Sequence, residues 1–189
     1  MSKHPSFLLF QQRGRRLRVK PDFTIRSSAP SDEDRLKEII GLSFPRFFRF
    51  FASHSLDSEG IVLVCEAERV VVAFAKLTEF RVGNGSFGCV LWLAVHPDFR
   101  RQNAATSLVK AGTNYLFSRH ADAVFASTQR GNLGSLATFK KSGYAHIGFL
   151  GLWRRFGWRV FSLYRKIWYA PGEIVLIHDK ANKIKRILE

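Results

Sequence analysis

The residues whose types and order could do chemistry lie between Leu91 and Val109, LWLAVHPDFRRQNAATSLV. An apolar run leads into a loop that opens at Pro97 and carries Arg100 and Arg101. A run of small residues begins at Ala104. Read as a strand, a loop and a helix, this order builds an anion site. The loop turns several backbone N–H groups one way, and the helix N-terminus adds partial positive charge beside them. Two guanidiniums stand at its edge. The pattern points to an anion carrying a pyrophosphate.

A second patch follows at Asn132 to Tyr144, NLGSLATFKKSGY. It reads as a short helix over Leu133 to Lys141, ended by Gly143.

The elements that must position these patches are legible from periodicity. Phe23 to Arg26 alternates and predicts a first strand. Ser31 is a good N-cap, with Asp32, Glu33 and Asp34 suited to the positive end of the helix that follows. Pro45 can open a second helix. That helix carries Phe47, Phe48, Phe50 and Phe51, which predicts either burial on two sides or an aromatic wall beside an acceptor groove. Ile61 to Ala67 and Val70 to Phe80 predict a hairpin, and Asn84-Gly85 a further turn into a strand over Phe87 to Val95. Ala104 to Phe117 has helical spacing, and Ala123 to Ser127 is a short strand. A strand from Tyr144 to about Leu152 is expected next. Antiparallel strands thus lead into a right-handed β-α-β crossover with one parallel pair.

The tail admits two readings. Trp153 to Tyr169 mixes aromatic and aliphatic residues with five Lys/Arg. It reads as a hairpin turning at Phe156-Gly157-Trp158, with a closing strand over Arg159 to Ile167, or as a basic amphipathic helix on a membrane. The strand is the expectation, because the sheet needs closing. Glu173 to His178 is an alternative closing strand.

Motifs and element order together resemble the GNAT-type, acyl-CoA-dependent N-acetyltransferases over about Phe23 to Ile167. Val95 to Ala105 is set against that family's Arg/Gln-x-x-Gly-x-Gly/Ala loop, and Asn132 to Tyr144 against its N-x-x-[AS] patch. The resemblance implies an α/β fold of α+β type. Its centre is a mixed, mostly antiparallel sheet of six or seven strands with one parallel β-α-β splay and about four flanking helices. It implies acetyl-CoA as acyl donor. Backbone near Leu93 and Val95 would pair with the pantetheine arm, and the backbone of Val95 would polarise the acetyl carbonyl. The loop residues Arg100, Arg101, Gln102, Asn103, Ala104, Ala105 and Thr106 would hold the pyrophosphate. Asn132 would contact pantetheine, and Phe139 would lie near the sulfur.

Two positions depart from the pattern. Asn103 replaces the first loop glycine. Asn is the best non-glycine residue for a left-handed position, yet it could instead cap the helix with its side chain. Phe139 stands where many relatives place a proton-donating tyrosine. Either water or the thiol's own acidity suffices, or the enzyme is altered or inactive.

Candidates for the general base are Glu66, His96, Ser127 and Thr128, the last two through a held water. His96 precedes a proline at a turn, a common structural role. Glu79 is excluded by the expected pairing, which sets it roughly eight strand residues, about 25 Å, from Val95.

Charge is concentrated at the ends. The net charge is +15, and residues 1–22 hold six Lys/Arg against one acid, while 153–189 hold nine against three. This predicts a basic N-terminal arm at 1–22, a domain at 23–168 and a basic extension at 169–189. Such flanks can meet an acidic or ribonucleoprotein partner or an anionic membrane, or remain solvated. Cys65 and Cys89 read as buried thiols of a reducing compartment. The histidines are scattered, and no metal site is expected. Phe7 to Phe10 is too short for a secretory core, and no apolar run approaches the roughly 18 residues that span a bilayer. A cytoplasmic protein is expected, with a homodimer among its possible partners.

The function expected is acetyl transfer to a primary amine of a peptide, protein or small molecule, by direct attack in a ternary complex. The alternative is a CoA-binding module of little or no activity whose basic flanks meet nucleic acid or an anionic membrane.

Overall fold

A computed structural model describes residues 22–180. The expected basic arm falls outside them but for Asp22, as do residues 181–189. Seven strands form one sheet: β1 (Phe23–Ser27), β2 (Ile61–Ala67), β3 (Val70–Val82), β4 (Gly85–Val95), β5 (Ala123–Gln129), β6 (Ala145–Ile147) and β7 (Glu173–Asp179). Their spatial order is β1-β2-β3-β4-β5-β7-β6. Only β4 and β5 run parallel; every other neighbouring pair is antiparallel. The helices are α1 (Glu33–Ser43), α2 (Arg46–Leu56), α3 (Ala104–Ser118), α4 (Leu133–Lys141), α5 (Phe149–Phe156) and α6 (Val160–Lys166).

The two-residue period of the strands sorts their side chains to opposite faces. Leu63, Cys65, Ala75, Leu77, Val124 and Ala126 pack with Leu108, Val109 and Leu116 of α3. Val62, Val64 and Phe74 pack on the other face with Leu36, Ile39 and Ile40 of α1. Phe80, Phe87, Phe125 and Ile177 meet Leu152, Val160 and Leu163 of α5 and α6 on that same second face. Both thiols are free and buried. Burial pushes Cys65 up to about 11 and Cys89 further in the same direction.

Four expectations need correction. The cap of α1 is Asp32 rather than Ser31. The Asp32 carboxylate accepts from the Ala29 N–H at 2.7 Å and from both terminal nitrogens of Arg26 at 2.7 and 2.9 Å. These bonds hold its carboxyl below the usual aspartate range. The strand expected from Tyr144 to Leu152 stops at Ile147. The tail is helical, as in the second of its two readings, and not a closing hairpin: buried Val160, Leu163 and Ile167 recur at helical spacing, and Gly157, with φ +54°, separates α5 from α6. These two helices take the number above the four expected. The sheet is completed by β7, the alternative closing strand at Glu173 to His178, placed between β5 and β6 and beyond the Tyr169 boundary set for an extension.

Lys76 secures α2. Its side chain is fully buried, and Nζ donates to the Ser58 carbonyl at 2.8 Å and the Leu56 carbonyl at 3.5 Å, at the C-terminal end of that helix. The position suits a cation. Burial lowers the Lys76 pKa.

Candidate active site

The parallel pair comes apart. β4 and β5 are in register at Phe87/Ala123, Gly88/Val124 and Cys89/Phe125, and no pairing continues beyond. Just past this point β4 carries one residue more than β3: Leu77 faces Val90 and Lys76 faces Trp92, leaving Leu91 as the extra residue of a bulge. A bulge bends its strand and increases local twist, so β4 turns from β5 where the pairing ends. The sequence carried no mark of this bulge. The resulting cleft has a volume of about 1050 Å³.

The β4 backbone faces the gap. The His96 N–H donates to the Val72 carbonyl at 2.8 Å, so His96 and Val72 form a hydrogen-bonded pair. Hydrogen-bonded and non-bonded pairs alternate in an antiparallel ladder. Val95 and Leu93, opposite Ala73 and Ala75, therefore turn their N–H and C=O groups away from β3 and towards the missing neighbour. The Val95 carbonyl meets Arg100 Nε at 3.2 Å and the Ser43 hydroxyl at 3.3 Å.

At the end of this strand the loop takes the form an anion needs. His96 Nδ1 accepts from the Asp98 N–H at 3.4 Å and caps a short 3-10 turn over Pro97–Phe99. Arg101 and Asn103 adopt left-handed conformations, with φ of 63° and 74°. Asn103 immediately precedes α3, and its side chain makes no capping bond. Of the two readings of this residue, the glycine-like one holds. The start of α3 borders the cleft, which Arg100, Arg101, Ala104, Ala105 and Thr106 line.

Most residues picked from the sequence converge here. Leu93, Val95, Asn103, Ser127, Thr128, Asn132 and Phe139 all line the cleft. Asn132 Oδ1 accepts from the Ser135 N–H at 3.1 Å and caps α4. Phe139 is buried, its ring 5.0 Å from that of Tyr144 in an edge contact. The Tyr144 hydroxyl is bound to Thr113 Oγ1 at 2.7 Å in the core, and burial pushes its pKa up. It is not among the lining residues.

Other picks lie elsewhere. Gln102 turns away and donates from Nε2 to the Asp98 carbonyl at 3.1 Å. Glu66 is held by Arg26 at 2.6 Å on the β1 side of the sheet. His96 supports the loop and does not line the cleft. Glu79 is opposite Gly88, beside Arg119 at 3.4 Å, far along β3 from Val95.

The far wall of the cleft is aromatic. Phe44 and Phe48 meet Trp92 edge-on at 5.3 and 6.3 Å, and Trp168 meets both Trp92 and Phe51 at 6.4 and 6.3 Å. The α2 phenylalanines are not buried on two sides: Phe47 and Phe50 are 69% and 70% exposed, and Phe47, Phe48 and Phe51 line the cleft. The wall reading holds.

Glu173 is the one carboxylate among the described lining residues, and the sequence reading missed it. It begins β7, pairs with Gln129 of β5 and accepts from the Ala170 N–H at 3.2 Å through Oε2. Glu173 and the Leu93–Val95 stretch of β4 line the same cleft. Only knowledge of where β7 inserts could have found it. Among the described residues, no group of three or more His, Cys, Asp or Glu side chains could hold a metal ion.

Comparison with known proteins agrees with this geometry. Residues 27–144 match the model of the acetyltransferase (GNAT) family. The chain belongs to that family. No protein of curated function matches the sequence. Among solved structures, a GNAT-family protein from Desulfovibrio desulfuricans shares 13% identity at a TM-score of 0.64, covering 84% of this chain and 99% of its own. The ribosomal-protein-S18-alanine N-acetyltransferase of Escherichia coli shares 16% at 0.59, over 84% and 94%. A Bacillus subtilis acetyltransferase in complex with CoA shares 14% at 0.61, over 84% and 99%. At these identities the likeness establishes the fold.

Proposed function

We propose that the protein is an N-acetyltransferase that moves an acetyl group from acetyl-CoA to a primary amine in a ternary complex. The observation that carries this reading is the parted β4/β5 pair, with the Leu93 and Val95 backbone turned into the gap. In this reading the α3 N-terminus and the loop at Arg101 to Thr106 hold the pyrophosphate, and β4 supplies strand-like bonds to the pantetheine arm.

The chemistry follows from these positions. The Val95 N–H stabilises the oxyanion as the amine nitrogen attacks the thioester carbonyl. One fixed donor of this kind is worth about 2.7–4 kcal/mol. The C–N bond forms, the C–S bond breaks, and the sulfur leaves as CoA thiolate, which takes up through water the second proton that the nitrogen sheds as it becomes an amide. Phe139 offers no proton, and the acidity of a thiol makes a dedicated acid dispensable. Glu173 holds the incoming ammonium beside the aromatic wall and accepts its proton, directly or through a water held at Ser127 and Thr128. Rings at the acceptor end favour an amine carried on an apolar or aromatic body.

Thermal shift with acetyl-CoA and thiol release with a panel of amines and peptides test the reading. Stabilisation by acetyl-CoA and thiol release that depends on an amine are expected. No stabilisation at millimolar donor, or stabilisation without transfer to any amine, would overturn it.

A further inference from the structure

Helices α5 and α6 have two apolar sides, and only one is used by the core. Leu152, Val160, Leu163 and Ile167 are buried against the sheet. On the outside, Trp153 gathers Phe149, Trp158 and Phe161 around it at ring distances of 5.8, 4.9 and 6.5 Å, and Trp158 and Phe161 lie 6.1 Å apart. Trp158 is 78% exposed, and Leu150, Phe149 and Phe161 are more than half exposed. Single exposed apolar residues are ordinary, but a contiguous group marks a surface that something covers.

The charge around the patch says what covers it. From Phe149 to Gly172 the chain has five Lys/Arg and no acid. Arg155 is paired with Asp179 at 3.0 Å. Arg154, Arg159, Arg165 and Lys166 have no carboxylate partner among the described residues. Short amphipathic helices with rings and leucine on the outer side, bordered by cations, have the composition of a segment lying in an anionic bilayer interface. A second copy of this patch would bring unpaired cations against their own kind. No described helix is long and apolar enough to cross a membrane, so the contact is with the surface.

We infer that the outer face of α5 and α6 docks the protein on anionic lipid membranes, with Phe149, Leu150, Trp158 and Phe161 entering the headgroup region and the unpaired cations facing lipid phosphates. The inference does not depend on acetyl transfer. The same segment ends at Ile167 and Trp168 in the cleft wall, so the docked face adjoins the acceptor end.

Flotation of the full chain with phosphatidylcholine vesicles, with and without phosphatidylserine, tests this. Co-flotation with the phosphatidylserine vesicles and weaker binding to phosphatidylcholine alone are expected, with a blue shift of tryptophan fluorescence. Trp158→Ser combined with Phe161→Ser should weaken binding by about tenfold or more. Arg154→Ser and Arg165→Ser should each weaken it about fivefold. Thermal stabilisation by acetyl-CoA should be unchanged in all of them, which shows that the variants fold. Absence of flotation, or flotation unaffected by the aromatic pair, overturns the inference. RNA retention, or a dimer in sedimentation, that the same variants abolish without any flotation overturns it in favour of nucleic acid or a second copy.

Discussion

The two ends of the cleft are built from different material. At the Arg101–Thr106 end the groups we propose to work are backbone N–H groups, set by two left-handed residues and the start of α3. At the other end they are side chains: Phe44, Phe48, Trp92, Trp168 and Glu173, brought together from four separate segments. A site made of main chain tolerates exchange of side chains while the backbone conformation is kept, which is how asparagine can stand at Asn103. A site made of side chains changes its ligand with one substitution. In the proposed reading the donor end rests on main-chain conformation and the acceptor end on side chains.

The comparison is broken most severely at Glu173. Glu173→Gln should lower kcat/KM for the amine by about 10²–10³ while acetyl-CoA stabilises the variant as before. Equal loss at both substrates would show the two ends are not separable. At the other end, Asn103→Val forces a β-branched residue into the left-handed region, at about 1–2 kcal/mol. It should weaken acetyl-CoA binding about tenfold in calorimetry, with the acceptor KM unchanged, whereas Asn103→Gly should bind at least as well as the parent.

Smaller effects sharpen the contrast. Trp168→Ala removes two edge contacts from the aromatic wall and should raise the acceptor KM by about fivefold, the equivalent of about 1 kcal/mol. Steady-state kinetics should show the donor KM unmoved. Asp32→Asn touches neither end. It should cost about 1–2 kcal/mol in urea unfolding at neutral pH, the Arg26 partner being partly in solvent. The Asp32 carboxyl is held below its unfolded value, so its stabilisation is complete above the ordinary aspartate range and is lost as pH falls through the depressed value. The gap between parent and variant should therefore close on acidification.

The regions also differ in how far they could be read. Leu133 to Lys141 was bounded correctly because Asn132 and Gly143 are local signals at its ends: one caps the helix, and the other has φ +90°. The hairpins from Ile61 to Val95 carry alternation and turn residues of their own. Trp153 to Tyr169 has apolar residues that fit either period, so neither dominates, and its outer rings obscure the spacing of Val160, Leu163 and Ile167. At the first helix, Ser31 was the expected cap; a 3-10 turn over Pro30–Asp32 moves the helix start to Asp32, whose carboxylate is bound to Arg26 of β1.

By itself the sequence determined what depends on neighbours along the chain: the hairpins, the crossover helix and the loop at Arg100 to Thr106. The tertiary structure alone decided the bulge at Leu91, the insertion of β7 beside β5 and the presence of Glu173 in an aromatic cleft. These rest on contacts between segments distant in sequence, whose pairing follows from the packing of the whole sheet rather than from the residues of any one strand.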